Sequence, residues 1–149
     1  MDFLGKFHPI LIHFPIALLT VYSFFEIVSL FYKEKSLDKF TLALLGLGVL
    51  FAVAAVFTGH LAEDLSYNLL NQVQKEAIET HETFATIVLF YFAALFFIKF
   101  YLVKKIKFTG YYKFAYIAMV LIGNIFIYLT GYYGGRLVFD YGIGTALLK

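Results

Sequence analysis

The 149-residue sequence contains no cysteine, and only 15% of its residues are charged. The absence of cysteine excludes disulfide bonds, thiolate metal sites, iron–sulfur clusters and covalent attachment of c-type haem within the chain. Ordinary soluble domains carry about 25% charged residues, so a 62% hydrophobic and 21% aromatic composition excludes that class. The mean hydropathy of +0.82 indicates instead a domain whose surface faces lipid.

The sequence also lacks the common catalytic and nucleotide-binding motifs. It contains no GxGxxG, Walker loop, HExxH or GxSxG pattern, so we do not expect a stand-alone enzyme. The lysines lie beside apolar segments, where membrane orientation explains them, and they predict no nucleic-acid partner. The first apolar segment is not followed by a typical cleavage site, and we interpret it as a retained helix.

Four apolar segments are long enough to cross a bilayer, which requires about 20 residues for about 30 Å of hydrocarbon. Each must be helical, because unpaired backbone groups cost several kcal/mol in lipid. We therefore predict an all-α fold, in which residues 1–149 form one integral-membrane, up-and-down four-helix bundle. The predicted spans are Ile10–Phe31, Phe40–Thr58, Phe84–Leu102 and Lys113–Tyr133.

The segment Leu61–Thr80 between the second and third spans is long and acidic. Leu61, Leu65, Leu69 and Val73 recur every four residues, a spacing that makes an apolar stripe on a helix. We predict a short amphipathic helix in this outer loop, which lies on the membrane surface or caps the bundle.

The lysines are divided unequally between the two sides of the predicted bundle. Eight flank the side of the Tyr32–Lys39 and Lys104–Tyr112 connections, whereas three lysines and Arg136 flank the other. Lysine-rich connections generally stay in the cytoplasm. We therefore predict an inner-membrane protein with both termini and the acidic loop in the periplasm.

The four histidines of the chain, His8, His13, His60 and His81, all lie at span ends on the predicted outer side. Neutral imidazole binds iron, copper, zinc and nickel, and helical bundles commonly hold cofactors between facing helices. His8 and His13 point about 140° apart on a helix, so each is expected to pair with a histidine from another helix. The alternative is that all four simply bond to water, headgroups or carboxylates.

A bundle rich in Phe and Tyr suits haem b, because a porphyrin needs a broad apolar slot. We expect one or two haems with bis-histidine ligation, whose propionates could bind Arg136, Tyr132 and Tyr133. Headgroup pairing explains Arg136 equally well. Glu26 lies toward the cytoplasmic end of the first span. We expect it to pair with Lys33 or Lys35, and the alternative is a proton or quinone site.

Small residues predict close helix contacts, or room for a flat cofactor, because they let backbones approach closely in lipid. They run down the second span as Gly46, Gly48, Ala52, Ala55 and Gly59, and they recur at the end of the fourth as Gly131 and Gly135.

Three motifs resemble the DUF2231 family of predicted bacterial membrane proteins. The segment His8–Ala17, HPILIHFPIA, resembles the family's HPxxxHFPIA start, and Gly59 followed by His81 matches the end of its second span and the start of its third. The segment Gly134–Gly144, GGRLVFDYGIG, resembles its GGxLVYxxGxG close. The resemblance covers essentially the whole chain.

The resemblance implies four spans, and it favours electron transfer because some members are fused to Rieske-type or c-type cytochrome domains. His8, His13 and His81 match family positions, whereas His60 is less general. We therefore predict a membrane b-type cytochrome that passes electrons between the quinone pool or a membrane complex and a periplasmic carrier.

Two other functions are open at this point. The chain could be a non-catalytic accessory subunit of a larger membrane complex, or a homo-oligomer, whose histidines only form hydrogen bonds. It could also be a metal-binding protein or small channel, with a zinc or copper site in which Glu63, Asp64 or Glu82 joins the histidines.

Overall fold

A computed structural model describes residues 5–32, 34–105 and 110–144 of the chain. Within these ranges four helical segments are long and apolar enough to cross a membrane, which confirms the predicted all-α, integral-membrane fold. Lys33 and the side chains of Leu65 and Leu69 lie outside the described part, and so do Lys107, Lys149 and the side chain of Lys105, which were among the lysines counted above. The helices are α1 (His8–Leu11), α2 (His13–Val28), α3 (Lys35–Ser66), α4 (Gln72–Lys105) and α5 (Tyr111–Phe139).

The first span consists of two helices, because α1 and α2 are separated at Ile12. Pro15 has no backbone N–H, so the carbonyl of Leu11 lacks its usual donor four residues further on. The span ends at Val28 rather than at the predicted Phe31. The other three helices extend beyond their predicted bounds at both ends.

The predicted separate amphipathic helix is not present, because the neighbouring spans continue into that segment. α3 reaches Ser66, a 3₁₀ turn covers Tyr67–Leu69, and α4 begins at Gln72. The Asn71 side chain accepts a hydrogen bond from the backbone N–H of Gln74 at 2.9 Å, and the Gln74 side chain accepts one from that of Asn71 at 3.0 Å. This reciprocal capping box fixes the start of α4 and divides the leucine stripe between two helices.

The four spans form a closed bundle. Each packs against its neighbours along the chain, and α2 also packs against α5. The core includes Leu19 from α2, Leu45 from α3, and Phe92 and Leu95 from α4. The outward surface is apolar as well, with Phe24, Phe97 and Tyr128 at least 60% exposed, as a lipid-facing surface requires.

The glycines of α3 lie at close helix contacts, as predicted. A Cβ added to Gly48 would lie 2.5 Å from the Cδ2 of Leu19, and one at Gly46 would lie 3.1 Å from an aromatic ring carbon. At the end of α5 a Cβ added to Gly131 or Gly135 would meet no described atom within 4 Å, so these glycines make no close helix contact, and room for a flat cofactor stays a prediction there.

Candidate functional site

His8 reaches from α1 across to α3. Its Nδ1 lies 3.0 Å from the carbonyl oxygen of Ala55 and 3.3 Å from the Oγ1 of Thr58. A ring that donates its Nδ1–H to a carbonyl keeps its lone pair on Nε2, so we assign that tautomer. The ring lies against Gly59, where an added Cβ would be 3.1 Å from Cε1.

His81 has the same arrangement on the other side of the bundle. It lies in the third turn of α4, and its Nδ1 lies 3.1 Å from the carbonyl oxygen of Thr130 on α5. Its ring lies against Gly134, where an added Cβ would be 3.0 Å from Cε1. The two glycines that contact histidine rings, Gly59 and Gly134, both belong to the motifs on which the family resemblance rests.

The two partly buried histidines are near each other. His8 lies within the range of electrostatic interaction with His81, and no hydrogen bond within the described residues uses the Nε2 of either ring. The structure therefore shows two imidazoles on different helices, each with an Nε2 that no hydrogen bond within the described residues uses, and their pairing stays a prediction.

The other two histidines are in different surroundings. His13, the first residue of α2, is exposed and is not brought to the His8–His81 pair. His60 is also largely exposed, and its Nδ1 lies 3.1 Å from the Oε1 of Glu82. The four predicted ligands therefore do not form one group, but separate into a pair, a carboxylate-bound histidine and an isolated histidine.

His60 belongs to a second cluster that includes two carboxyl groups. One ligand atom each from His60, Glu63 and Glu82 lies within 4.8 Å of the others. The side chains of Glu63 and Glu82 also hydrogen-bond to each other, which requires a shared proton that a bound cation would replace. The neighbouring open pocket is lined by His60, Glu82 and Glu79, whereas Asp64 is exposed and outside the cluster.

The three predicted propionate-binding residues lie near the end of α5, with separate contacts. The Nε of Arg136 donates to the Oδ2 of Asp140 at 2.7 Å, so its charge is already balanced. Tyr133 stacks on Phe84 with ring centroids 5.1 Å apart, whereas Tyr132 is half exposed. Arg136 and Tyr133 line one pocket, which includes no histidine.

A buried ion pair at the opposite end of the bundle was not predicted. Glu26 pairs with Lys99 of α4, so the expected pairing with Lys35 is wrong, and Lys33 lies outside the described residues. Lys99 also donates to the Oγ1 of Thr41 at 2.5 Å. The sequence did contain a hint of this ion pair. Glu26 and Lys99 both lie within apolar spans, where an ionisable side chain needs a partner.

The chain belongs to the DUF2231 family. A family model described as a predicted membrane protein matches residues 6–147, which include all four histidines. This match confirms the resemblance inferred from the three motifs, but the description states no activity. No curated protein and no solved structure shows a significant match to the chain. Any functional conclusion must therefore come from the geometry of its side chains.

Proposed function

We propose that this DUF2231 chain is a membrane b-type cytochrome in which His8 and His81 are the axial ligands of one haem. In the orientation that the lysines favour, the haem lies near the periplasmic side of the inner membrane. It would exchange electrons between the quinone pool or a membrane complex and a periplasmic carrier. The haem supplies the one-electron chemistry when bound, and the chain holds and orients it.

The main support for this proposal is that the His8 and His81 rings make the same kind of hydrogen bond. Both Nδ1 atoms hydrogen-bond to backbone carbonyls on a neighbouring helix, at 3.0 Å for His8 and 3.1 Å for His81. Such an outer hydrogen bond fixes the ring orientation and makes the opposite nitrogen a better metal ligand. Axial histidines are a common means of holding haem iron in proteins.

Two features near the histidines favour haem binding: an aromatic pair that offers apolar contacts, and a short helix that carries His8. Phe84 and Tyr133 form a stacked aromatic pair beside the His81 end of the bundle. Neither His8 nor His81 lines either of the two pockets described above, and we expect the histidine end of the bundle to open when haem is inserted. The four-residue helix α1 carries His8 and is separated from α2 at Ile12, so we expect it to shift without unfolding α2.

Substitution of each histidine by alanine tests the ligand assignment. We expect His8→Ala and His81→Ala to lose most of the haem bound per purified chain, because each removes an axial nitrogen. His13→Ala and His60→Ala are the matched controls and should retain it. Full haem content in both His8→Ala and His81→Ala would overturn the assignment.

The cluster of His60, Glu63 and Glu82 supports a second candidate function, the binding of a divalent transition metal. A mixed imidazole and carboxylate set suits zinc or a related ion. We expect Zn²⁺ titration of the purified protein, followed by calorimetry, to show one site that is lost in His60→Ala and kept in His13→Ala. Equal binding by both variants would exclude this cluster as the site.

A further inference from the structure

We infer that a second copy of this chain binds to the α5 face formed by Leu121, Asn124 and Tyr128, so that the two Asn124 side chains hydrogen-bond to each other inside the membrane. Asn124 lies near the middle of the fourth span, and it is the only Asn or Gln within the four spans predicted from the sequence. The inference does not depend on the proposed haem or on metal binding at the cluster of His60.

The hydrogen bonding of Asn124 stays within its own helix. Its Nδ2 donates to the carbonyl oxygen of Val120, four residues earlier on α5, at 2.9 Å. The atom beside that carbonyl must be the amide nitrogen, because two acceptor oxygens would repel each other. The Oδ1 of Asn124 and the second hydrogen of its Nδ2 therefore have no partner among the described residues. A polar side chain inside the bilayer usually joins two helices, and Asn124 joins none within the described chain.

One side of α5 packs in the bundle core, and the bundle leaves the other side uncovered. Val120 and Ile127 are buried in the core. Leu121 and Tyr128, about one turn before and one turn after Asn124, are 48% and 70% exposed. Asn124 is partly exposed and lies at the border between the two sides.

The free oxygen of Asn124 is accessible from outside the bundle. Among the described residues, the enclosed side-chain oxygen and nitrogen atoms without a hydrogen-bond partner belong to Glu26 and Asp38 only. The Oδ1 of Asn124 has no partner and is not enclosed, so it reaches the surface of the chain. A group on a neighbouring molecule can therefore contact it without any change in the packing of the bundle.

The lipid itself offers no partner for this carboxamide. Hydrocarbon tails contain no hydrogen-bond donors or acceptors, and an unsatisfied polar group among them is costly in free energy. A suitable partner has to supply one donor and one acceptor near the middle of the membrane. A carboxamide supplies both, so the side chain of Asn124 is complementary to a second copy of itself.

A second copy of the chain presents this carboxamide at the required depth. All copies insert in the same direction, so two α5 helices run parallel, and a twofold axis perpendicular to the membrane places identical residues opposite each other. Each Oδ1 then accepts a hydrogen bond from the Nδ2 of the other Asn124, while each Nδ2 keeps its bond to Val120. Leu121 and Tyr128 supply apolar contacts on either side of the pair.

Förster resonance energy transfer between labelled copies of the full-length protein in liposomes tests this inference. The chain contains no cysteine, so Asn68→Cys in the exposed outer turn provides a single labelling site. We expect energy transfer that increases with the protein-to-lipid ratio. In Asn124→Leu the apparent dissociation constant of the dimer should rise about tenfold, because two hydrogen bonds between the copies are lost.

Two further variants serve as controls for the carboxamide. Asn124→Gln keeps the amide group and should retain most of the energy transfer. Thr20→Val removes another exposed polar side chain within a span, on α2, and should leave the transfer unchanged. Energy transfer in folded Asn124→Leu equal to that of the wild type would overturn the inference.

Oxidative cross-linking keeps Asn124 in place and covers the case in which Asn124→Leu does not fold. Leu121 and Ile122 are adjacent on α5 and similarly exposed, at 48% and 46%, but they point about 60° and about 160° away from Asn124 around the helix. We expect Leu121→Cys to form disulfide-linked dimers several times faster than Ile122→Cys. Equal rates would overturn the inference. A wild-type protein that stays monomeric at every protein-to-lipid ratio would also overturn it, and the partner of Asn124 would then be another membrane protein or a small ligand.

Discussion

The two ends of the bundle differ in how their polar side chains are paired. At the end near Asp38, Lys99 is completely buried and bonded to both Glu26 and Thr41. At the histidine end, His8 and His81 are only partly buried and each uses one ring nitrogen. Polar groups that join helices are thus buried and paired, whereas groups that can bind a ligand keep one atom uncommitted. At the histidine end that atom is the Nε2 of each imidazole, and neutral imidazole is a common metal ligand.

The largest expected effect comes from breaking the buried pair. Lys99→Met should lower the free energy of unfolding by about 3–5 kcal/mol, because it leaves Glu26 as an unpaired buried charge. His60→Asn, at a side chain that is 55% exposed, should change it by no more than about 0.5 kcal/mol. Chemical unfolding in detergent micelles measures both values.

The double variant Glu26→Leu/Lys99→Met serves as the control for this comparison. It should recover most of the loss in stability, because no unpaired charge remains in the bundle. A Lys99→Met variant as stable as His60→Asn would show that the ion pair does not hold the helices together.

Glycine substitutions are expected to have an intermediate effect that separates packing from cofactor binding. A Cβ at Gly123 would lie 2.7 Å from the Cζ of buried Phe92, so Gly123→Ala should cost about 1–3 kcal/mol. Gly134→Ala crowds the ring of His81 and should reduce haem content more than stability. Gly131→Ala is the open control. Equal midpoints of thermal unfolding for Gly123→Ala and Gly131→Ala would contradict the close contact between Gly123 and Phe92.

The smallest expected effect is at the turn between α3 and α4. Asn71→Ala removes the side-chain acceptor of the capping box and should cost about 1 kcal/mol. Amide hydrogen exchange should become faster in the first turn of α4, while the buried pair at the other end is unaffected. Asn68→Ala, in the exposed 3₁₀ turn, is the control, and faster exchange there to the same extent would argue against the cap.

The sequence predicted the spans and the common end of the histidines for simple physical reasons. Hydrophobic length determines which segments cross lipid, and an up-and-down connection returns every second helix end to the same side. The helix break at Leu70 and Asn71 was not predicted, since a four-residue leucine period continues through the turn. The Asn71–Gln74 capping spacing was nevertheless present in the sequence and would have indicated the start of α4.

Contacts between distant residues required the packing of the bundle. Glu26 and Lys99 are 73 positions apart. Residue spacing within one helix does not tell which residues of another helix lie at the same depth in the membrane. Lys99 and Lys113 were counted among the lysines that orient the protein, but both are buried in ion pairs. Likewise, the hydrogen-bond acceptors of His8 and His81 are backbone carbonyl oxygens. Every residue has such an oxygen, so the sequence does not indicate which ones the histidines contact.

An absorption spectrum of the detergent-purified protein, oxidised and then reduced with dithionite, tests the proposed cytochrome most directly. We predict a Soret band, a sharp α-band on reduction, and a pyridine haemochrome of haem b at one haem per chain. A featureless spectrum from protein made in haem-replete cells would contradict the proposal, and His8 and His81 would then be hydrogen-bonding residues of a metal-binding or accessory membrane protein.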